Sequence, residues 1–335
     1  MGGDRAPSAI VAGAVAAARD LPVRLLLVGP EALIRDELAR HADPASAARL
    51  SIVDAPDVIG MGEAPLAALR RKPRASVKVA AELVARGEAL GFYSAGHTGA
   101  TLLAAHGAFG PLAGAERPAL AVLMPTLAGQ AVLLDTGATL DCRPEHLRAF
   151  AVMGAAYARI ALATPAPRVG LLSVGEEGGK GNELVREAHR LLQQMTDLNF
   201  VGNLEARDLF SGAADVVVCD GFTGNVVLKT GEGLVETLER MLKRELGDSW
   251  AARIASRLVG GGFARLRRRV DAAERGGAPL LGVDGLAMVG HGRSDGRAIR
   301  NGLAATLQLV EGGMIGRLRE ALATSSALPE SPGLC

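Results

Sequence analysis

Short unbroken apolar runs alternate along the chain with longer stretches in which apolar residues recur at helical intervals. Pro7 opens an Ala- and Val-rich helical stretch to Arg19, and Val23–Val28 follows as a buried strand stopped by Gly29 and Pro30. Glu31–His41 has helical spacing and Leu50–Val53 is extended. Ser76–Arg86 carries Val77, Ala80, Ala81 and Val84 at helical intervals before Gly87 ends it, and Leu90–Tyr93 is the next strand. The runs Ala119–Met124, Ala131–Leu134, Val169–Val174 and Val216–Cys219 are apolar without alternation, as strands buried on both faces are. Helices over Pro144–Leu162 and Glu183–Gln194 separate them. The pattern predicts an α/β protein with a largely parallel sheet covered by helices on both sides, in which ligands lie in the loops beyond the strand carboxyl ends.

Glu232–Asp271 departs from this alternation. It is helical with few breaks apart from Gly247 and Gly260–Gly262, rich in arginine, and expected to project from the body. Within it Trp250, Ile254 and Leu258 form one apolar stripe beside Arg253 and Arg257, and Arg267–Arg269 follow. Such a helix can lie in the interface of an anionic membrane, or pack against a partner subunit or the body. Residues 325–335, with their Ser, Pro and Gly, are expected to form a flexible tail.

Composition narrows the function classes. The 335 residues are 49% hydrophobic, enough for a sizeable core, and the 43 glycines punctuate apolar segments without forming a repeat. Lys and Arg total 37 against 36 Asp and Glu, so no overall field draws the molecule to nucleic acid, and 3% aromatic residues offer few stacking platforms for single strands. Cys142, Cys219 and Cys335 are scattered, which fits a reducing, cytoplasmic setting. No apolar stretch is long enough to span a bilayer.

Four loops carry the candidate chemistry. Ser94-Ala-Gly-His-Thr-Gly99 lies between a strand and a helix, where backbone N–H groups and the helix dipole suit an anion such as phosphate; Ser94, Gly96, Thr98 and Gly99 are the candidate contacts, against an ordinary turn capped by Thr98. Gly175–Glu183 places Lys180 between Gly179 and Gly181, close to the main chain, where it can meet phosphate as a point charge; a solvated surface turn is the alternative. Its spacing is not that of a Walker loop. Asp220-Gly-Phe-Thr-Gly-Asn225 offers Thr223, Gly224 and Asn225 as donors, with Asp220 capping the turn or acting on a substrate proton. Asp135–Cys142 supplies two carboxylates and a thiol, which invites a metal or a covalent cysteine, but no cluster of metal-ligand spacing accompanies them. No metal or other cofactor is expected, and Cys219 is assigned to the core.

The strings Met1-Gly-Gly-Asp4, Ser94–Ala100, Asp135-Thr-Gly-Ala, Gly175-Glu-Glu with Lys180-Gly-Asn-Glu-Leu184, Asn203–Asp208, Asp220–Asn225 and His291-Gly-Arg-Ser-Asp295 stand in the order found in the bacterial PlsX family of phosphate acyltransferases. The chain resembles that family over nearly its whole length. The resemblance implies a homodimeric, cytoplasmic enzyme of phospholipid synthesis that moves a long-chain fatty acyl group from acyl carrier protein to inorganic phosphate. The acyl phosphate would pass to a membrane glycerol-3-phosphate acyltransferase, and peripheral membrane contact would suit that hand-over. It also implies an α/β/α sandwich of the isocitrate/isopropylmalate dehydrogenase-like type, shared with phosphotransacetylases, with a projecting helical pair. Its two intertwined subdomains would be roughly 1–125 plus 280–324, and 126–279.

In this frame Lys180, Asn182 and His97 are the expected catalytic residues, Asp220 and Asn203 belong to an acyl or carrier-arm site, and the remaining loop residues bind phosphate. The family carries a short apolar strand ahead of Gly-Gly-Asp where this chain has Met1, and asparagine where it has His97. A short-chain acyl-CoA phosphotransferase and a non-catalytic binding protein on the same fold are the alternatives; an oxidative decarboxylase would need an aspartate metal cluster.

Overall fold

The computed structural model describes residues 1–246 and 276–326. Among the described residues eleven strands fall into three sheets. β1 (Leu25–Gly29) and β2 (Leu50–Asp54) form a parallel pair. β3 (Phe92–Ser94), β4 (Ala119–Leu120), β10 (Ala278–Leu281) and β11 (Ala287–Val289) form a four-stranded sheet in the order β3-β11-β10-β4, with only β3 and β11 parallel. β5 (Val122–Thr126), β6 (Gly129–Leu134), β7 (Val169–Leu172), β8 (Phe200–Leu204) and β9 (Val216–Val218) form the third, in the order β5-β6-β9-β7-β8; β5 alone is antiparallel. β7 and β9 are buried at every position, as their unbroken Val/Leu composition requires.

The apolar run Ala119–Met124 is two strands. β4 pairs with β10 and β5 with β6, and between them Ala121 donates its N–H to the Pro279 carbonyl at 3.1 Å as the chain passes from one sheet to the next. Hydropathy cannot mark this crossing, because both sheets bury their part of the run. The strand expected over Leu90–Tyr93 begins only at Phe92, and that over Val169–Val174 stops at Leu172, with Leu90 76% and Val174 79% exposed.

Helices α1 (Ser8–Asp20), α2 (Glu31–His41), α3 (Pro44–Ala47), α4 (Pro65–Arg71), α5 (Ser76–Ala85) and α6 (Thr98–Phe109) cover the first two sheets. α7 (Pro144–Ala161) is the central helix, buried from Phe150 through Ala158 against β6 and β9, where Gly154 lets it approach Val216. α8 (Glu183–Gln193), α10 (Gly296–Glu311) and α11 (Met314–Ser326) complete the packing. α9 (Gly221–Leu246) differs: none of its residues from Lys229 to Leu242 is buried. The Trp250 stripe, Arg267–Arg269 and residues 327–335 of the expected tail lie outside the described residues, and the tail's first two residues, Ser325 and Ser326, instead close α11.

Candidate active site

β6, β9, β7 and β8 are parallel, so the segments that leave their carboxyl ends emerge on one rim of the sheet. Three of the four candidate loops, after β6, β9 and β7, are therefore neighbours; the fourth follows β3 in the other large sheet.

At the β3 loop, α6 begins at Thr98 with His97 as its N-cap. The His97 ring Nδ1 accepts the Ala100 N–H at 3.3 Å, and its carbonyl accepts the Thr101 N–H at 3.0 Å. The N–H groups of Thr98 and Gly99 are left without an intramolecular acceptor among the described residues, as the first turn of a helix leaves them. Ser94 Oγ is 3.0 Å from Thr101 Oγ1 and accepts from Gly96 N–H at 3.4 Å, so Ser94 and Gly96 brace the turn from within. An asparagine at position 97 caps through its side-chain oxygen in the same way. His97→Asn is therefore expected to leave the melting temperature unchanged or slightly raised and to keep activity; complete loss of turnover would assign His97 a chemical role of its own.

At the β7 loop the exposed Lys180 lays its aliphatic stem across Gly175, where an added Cβ would sit 3.0 Å from the lysine Cγ. Lys180 makes no ion pair among the described residues. Gly181 turns at φ +98°, directly over Ser173, whose Oγ is buried with no hydrogen-bond partner among the described residues. Asn182 is the N-cap of α8, its Oδ1 accepting the Val185 N–H at 3.0 Å. That engages the oxygen and leaves the amide N–H₂ as its remaining function.

Asn203, expected at an acyl or carrier-arm site, is instead 4% exposed inside the end of β8. Its Oδ1 lies 2.9 Å from Nδ1 of the buried His189, and its Nδ2 donates to the Glu177 carbonyl at 2.9 Å. An amide so buried and engaged positions the glycine-rich loop from beneath. His189 was invisible to pattern reading, since one polar residue on the inner face of an amphipathic helix carries no signal until its partner on another strand is known.

The β9 loop also corrects expectation. Asp220 caps α9: its carboxylate accepts the Thr223 N–H at 2.9 Å and the Thr223 hydroxyl at 2.7 Å. The Gly224 N–H donates to the Asp220 carbonyl at 2.9 Å, and Asn225 Nδ2 to the Thr136 carbonyl at 3.0 Å. The donors that Thr223 and Gly224 were to offer phosphate are thus engaged within the loop, and one of the two Asn225 amide N–H groups is taken by the β6 loop. Asn225 clamps the β9 loop to the β6 loop, where Gly137, at φ +129°, leaves room for it.

Asp135 holds the β6 loop. It is fully buried, and its carboxylate accepts N–H groups from Leu120, Gly137, Ala138 and Thr139 at 2.7–3.0 Å. Burial pushes its carboxyl above the ordinary aspartate range against the pull of those four donors. Burial pushes the Cys142 thiol up to about 12, with Asp135, Asp220 and Asp141 adding to the rise, the opposite of the lowering that activates a nucleophilic cysteine. Cys219 is buried in the core, as expected.

A family model described as Fatty acid synthesis protein matches residues 1–317. The chain belongs to this family. Among curated relatives, a phosphate acyltransferase of Thermus thermophilus is 51% identical over 322 residues, covering 96% of each chain. One of Nitratidesulfovibrio vulgaris is 48% identical over 311 residues, covering 93% of this chain and 90% of the relative. Among solved structures, a phosphotransacetylase from Streptococcus pyogenes superposes with TM-score 0.60 at 18% identity, covering 95% of this chain and 92% of that one. The EutD phosphotransacetylase from Staphylococcus aureus gives 0.56 at 14%, covering 90% and 89%. These structures speak for a shared α/β fold, the one the resemblance implies for phosphotransacetylases.

Proposed function

We propose that this chain transfers a long-chain fatty acyl group from acyl carrier protein to inorganic phosphate, making acyl phosphate for phospholipid synthesis. The observation that carries the reading is the near-full-length match, at about half identity, to phosphate acyltransferases. The site geometry supports it: the N–H groups of Thr98 and Gly99 and the Lys180 ammonium are open, while the Thr223 and Gly224 donors of the β9 loop are engaged. In this reading Thr98, Gly99 and Lys180 hold the phosphate, and Asn182 adds its amide N–H₂ at the next helix start.

Phosphate at neutral pH is already an anion, so the demand on the protein is alignment with the thioester and stabilisation of the tetrahedral oxyanion. A phosphate oxygen attacks the thioester carbonyl carbon, forming the C–O bond. Collapse breaks the C–S bond, and the leaving thiolate takes up the proton that the phosphate carried.

The finer reading has a homodimer, each chain of two intertwined subdomains; the passage of the chain between sheets at Ala121 supports the division into subdomains. The exposed Leu234, Leu238 and Met241 on α9 support a subunit or peripheral membrane contact near a membrane glycerol-3-phosphate acyltransferase. Among the described residues no helix is long and apolar enough to cross a membrane. Purified protein given acyl-carrier thioester and phosphate is expected to release carrier thiol only when phosphate is present. Turnover confined to short-chain acyl-CoA would favour the phosphotransacetylase-like alternative, and none with either donor would favour a binding protein.

A further inference from the structure

The His291–Asp295 loop stands beside the Ser94–Gly99 loop and has no role in phosphate binding as proposed. β11 runs parallel to β3, and past its end the Gly290 N–H donates to the Ser94 carbonyl at 2.8 Å, so His291 emerges where the Ser94–Gly99 turn begins. The amino-terminal turn seals the two loops together. Asp4 N–H donates to the Gly292 carbonyl at 2.9 Å, and a Cβ on Gly3 would fall 2.5 Å from the Ala95 carbonyl oxygen. From the other side comes α9, the helix that the β9 loop starts: its Glu236 meets the Arg293 guanidinium at 3.4 Å, and its Lys229 and Glu232, paired at 2.9 Å, act on the imidazole charge. His291 therefore lies between the β3 loop and the first turns of α9.

Its two nitrogens are unlike. Nδ1 accepts the Arg293 N–H at 3.3 Å, so the neutral ring carries its proton on Nε2, which has no partner among the described residues. The residue is exposed, yet partial desolvation of the ring first, then Lys229, hold the imidazole below the usual histidine range; Arg293 acts in the same sense, and Glu232 and Asp4 oppose it. The ring is thus a neutral donor whose only lone pair is engaged, suited to hydrogen-bonding an oxygen and not to taking a proton. The open donors already assigned serve phosphate, and an oxygen that becomes negative at the acyl carbon needs a donor of its own.

We propose that His291 is a further catalytic residue of the acyl transfer, its Nε2–H donating to the thioester carbonyl oxygen as that oxygen takes up negative charge. The inference rests on the acyl-transfer reading. When the phosphate oxygen adds to the carbonyl carbon, the C=O electron pair moves onto the oxygen that Nε2–H meets; collapse returns the pair and expels the thiolate. No proton leaves His291. Lys229 and Glu232 act through it as positioning charges that set its protonation.

Steady-state kinetics of the full chain with acyl-carrier thioester and phosphate test this. His291→Ala is expected to lower kcat about 10²–10³-fold, the loss typical of one oxyanion donor, with KM for phosphate held within about threefold. His291→Gln, which still offers an N–H, is expected to keep at least about tenfold more activity than the alanine variant. The neutral ring is the active form, so activity falls as pH drops through its pKa. Lys229→Gln removes a neighbouring positive charge and moves that acid limb to higher pH; Glu232→Gln moves it lower. A His291→Ala kcat within about threefold of wild type, a loss expressed in phosphate KM, a glutamine variant no better than alanine, or an acid limb unmoved in both charge variants overturns the assignment. Wild-type protein that forms no acyl phosphate would instead overturn the reading on which it rests.

Discussion

Lys180→Ala is expected to lower turnover well over tenfold at limiting phosphate while leaving the unfolding transition in place. The side chain is exposed and without an ion pair among the described residues, so its removal costs the fold little, within about 0.5 kcal/mol for such a surface position. In the transition state it would supply a charge-assisted contact worth ~2–3 kcal/mol, and ~1.4 kcal/mol is already tenfold in rate. Arginine at 180 should not restore full activity, because a planar fork between Gly179 and Gly181 cannot present the compact charge of an ammonium. Near-normal rates for the alanine variant at low phosphate would remove Lys180 from the site.

Two glycines on one helix should respond to alanine with opposite signs. At Gly233 nothing lies within 4 Å of the added Cβ, and replacing an exposed helical glycine by alanine typically gains ~0.8–1 kcal/mol. At Gly224 the same methyl would fall inside the van der Waals shell of the Asp135 carbonyl oxygen and 2.9 Å from Cys219 Sγ. Neither can retreat: Asp135 is fixed by four N–H donors and Cys219 is buried. Gly224→Ala is therefore expected to lose at least ~2–3 kcal/mol, the cost of overpacking a rigid site, and to lose activity with it as the β6 and β9 loops part. Denaturant midpoints of the two variants, measured side by side, decide the matter; equal shifts would show that α9 does not rest on Asp135 in solution.

The α/β class and the four strand-to-helix loops followed from the sequence, because strands covered on both faces, as β7 and β9 are, must be apolar throughout, while glycines in the loops that follow mark where they end. Val169–Leu172 and Val216–Val218 lie where unbroken hydrophobic runs put them. The loop strings likewise carried the family, since glycines at strand ends and a lysine between glycines are local features that need no tertiary information.

What each loop residue does was a different matter. Whether a donor faces a ligand or a neighbouring backbone depends on which strands lie side by side. Thr223 and Asn225 had the composition of a phosphate site until the pairing of β9 with β6 set Asn225 against Thr136, and the α9 cap took both Thr223 donors. Asn203 moved inward because β8 pairs with β7 and turns its end toward α8, where His189 waits. His291 gained its neighbours only when parallel pairing of β11 with β3 brought residues nearly two hundred positions apart to one rim, and when α9 crossed to meet them. Local pattern determined the elements and the loops, because burial and turn geometry act over a few residues. The assignment of open and engaged hydrogen-bonding groups belonged to the tertiary structure, because each such group is satisfied across strands that the sequence does not order.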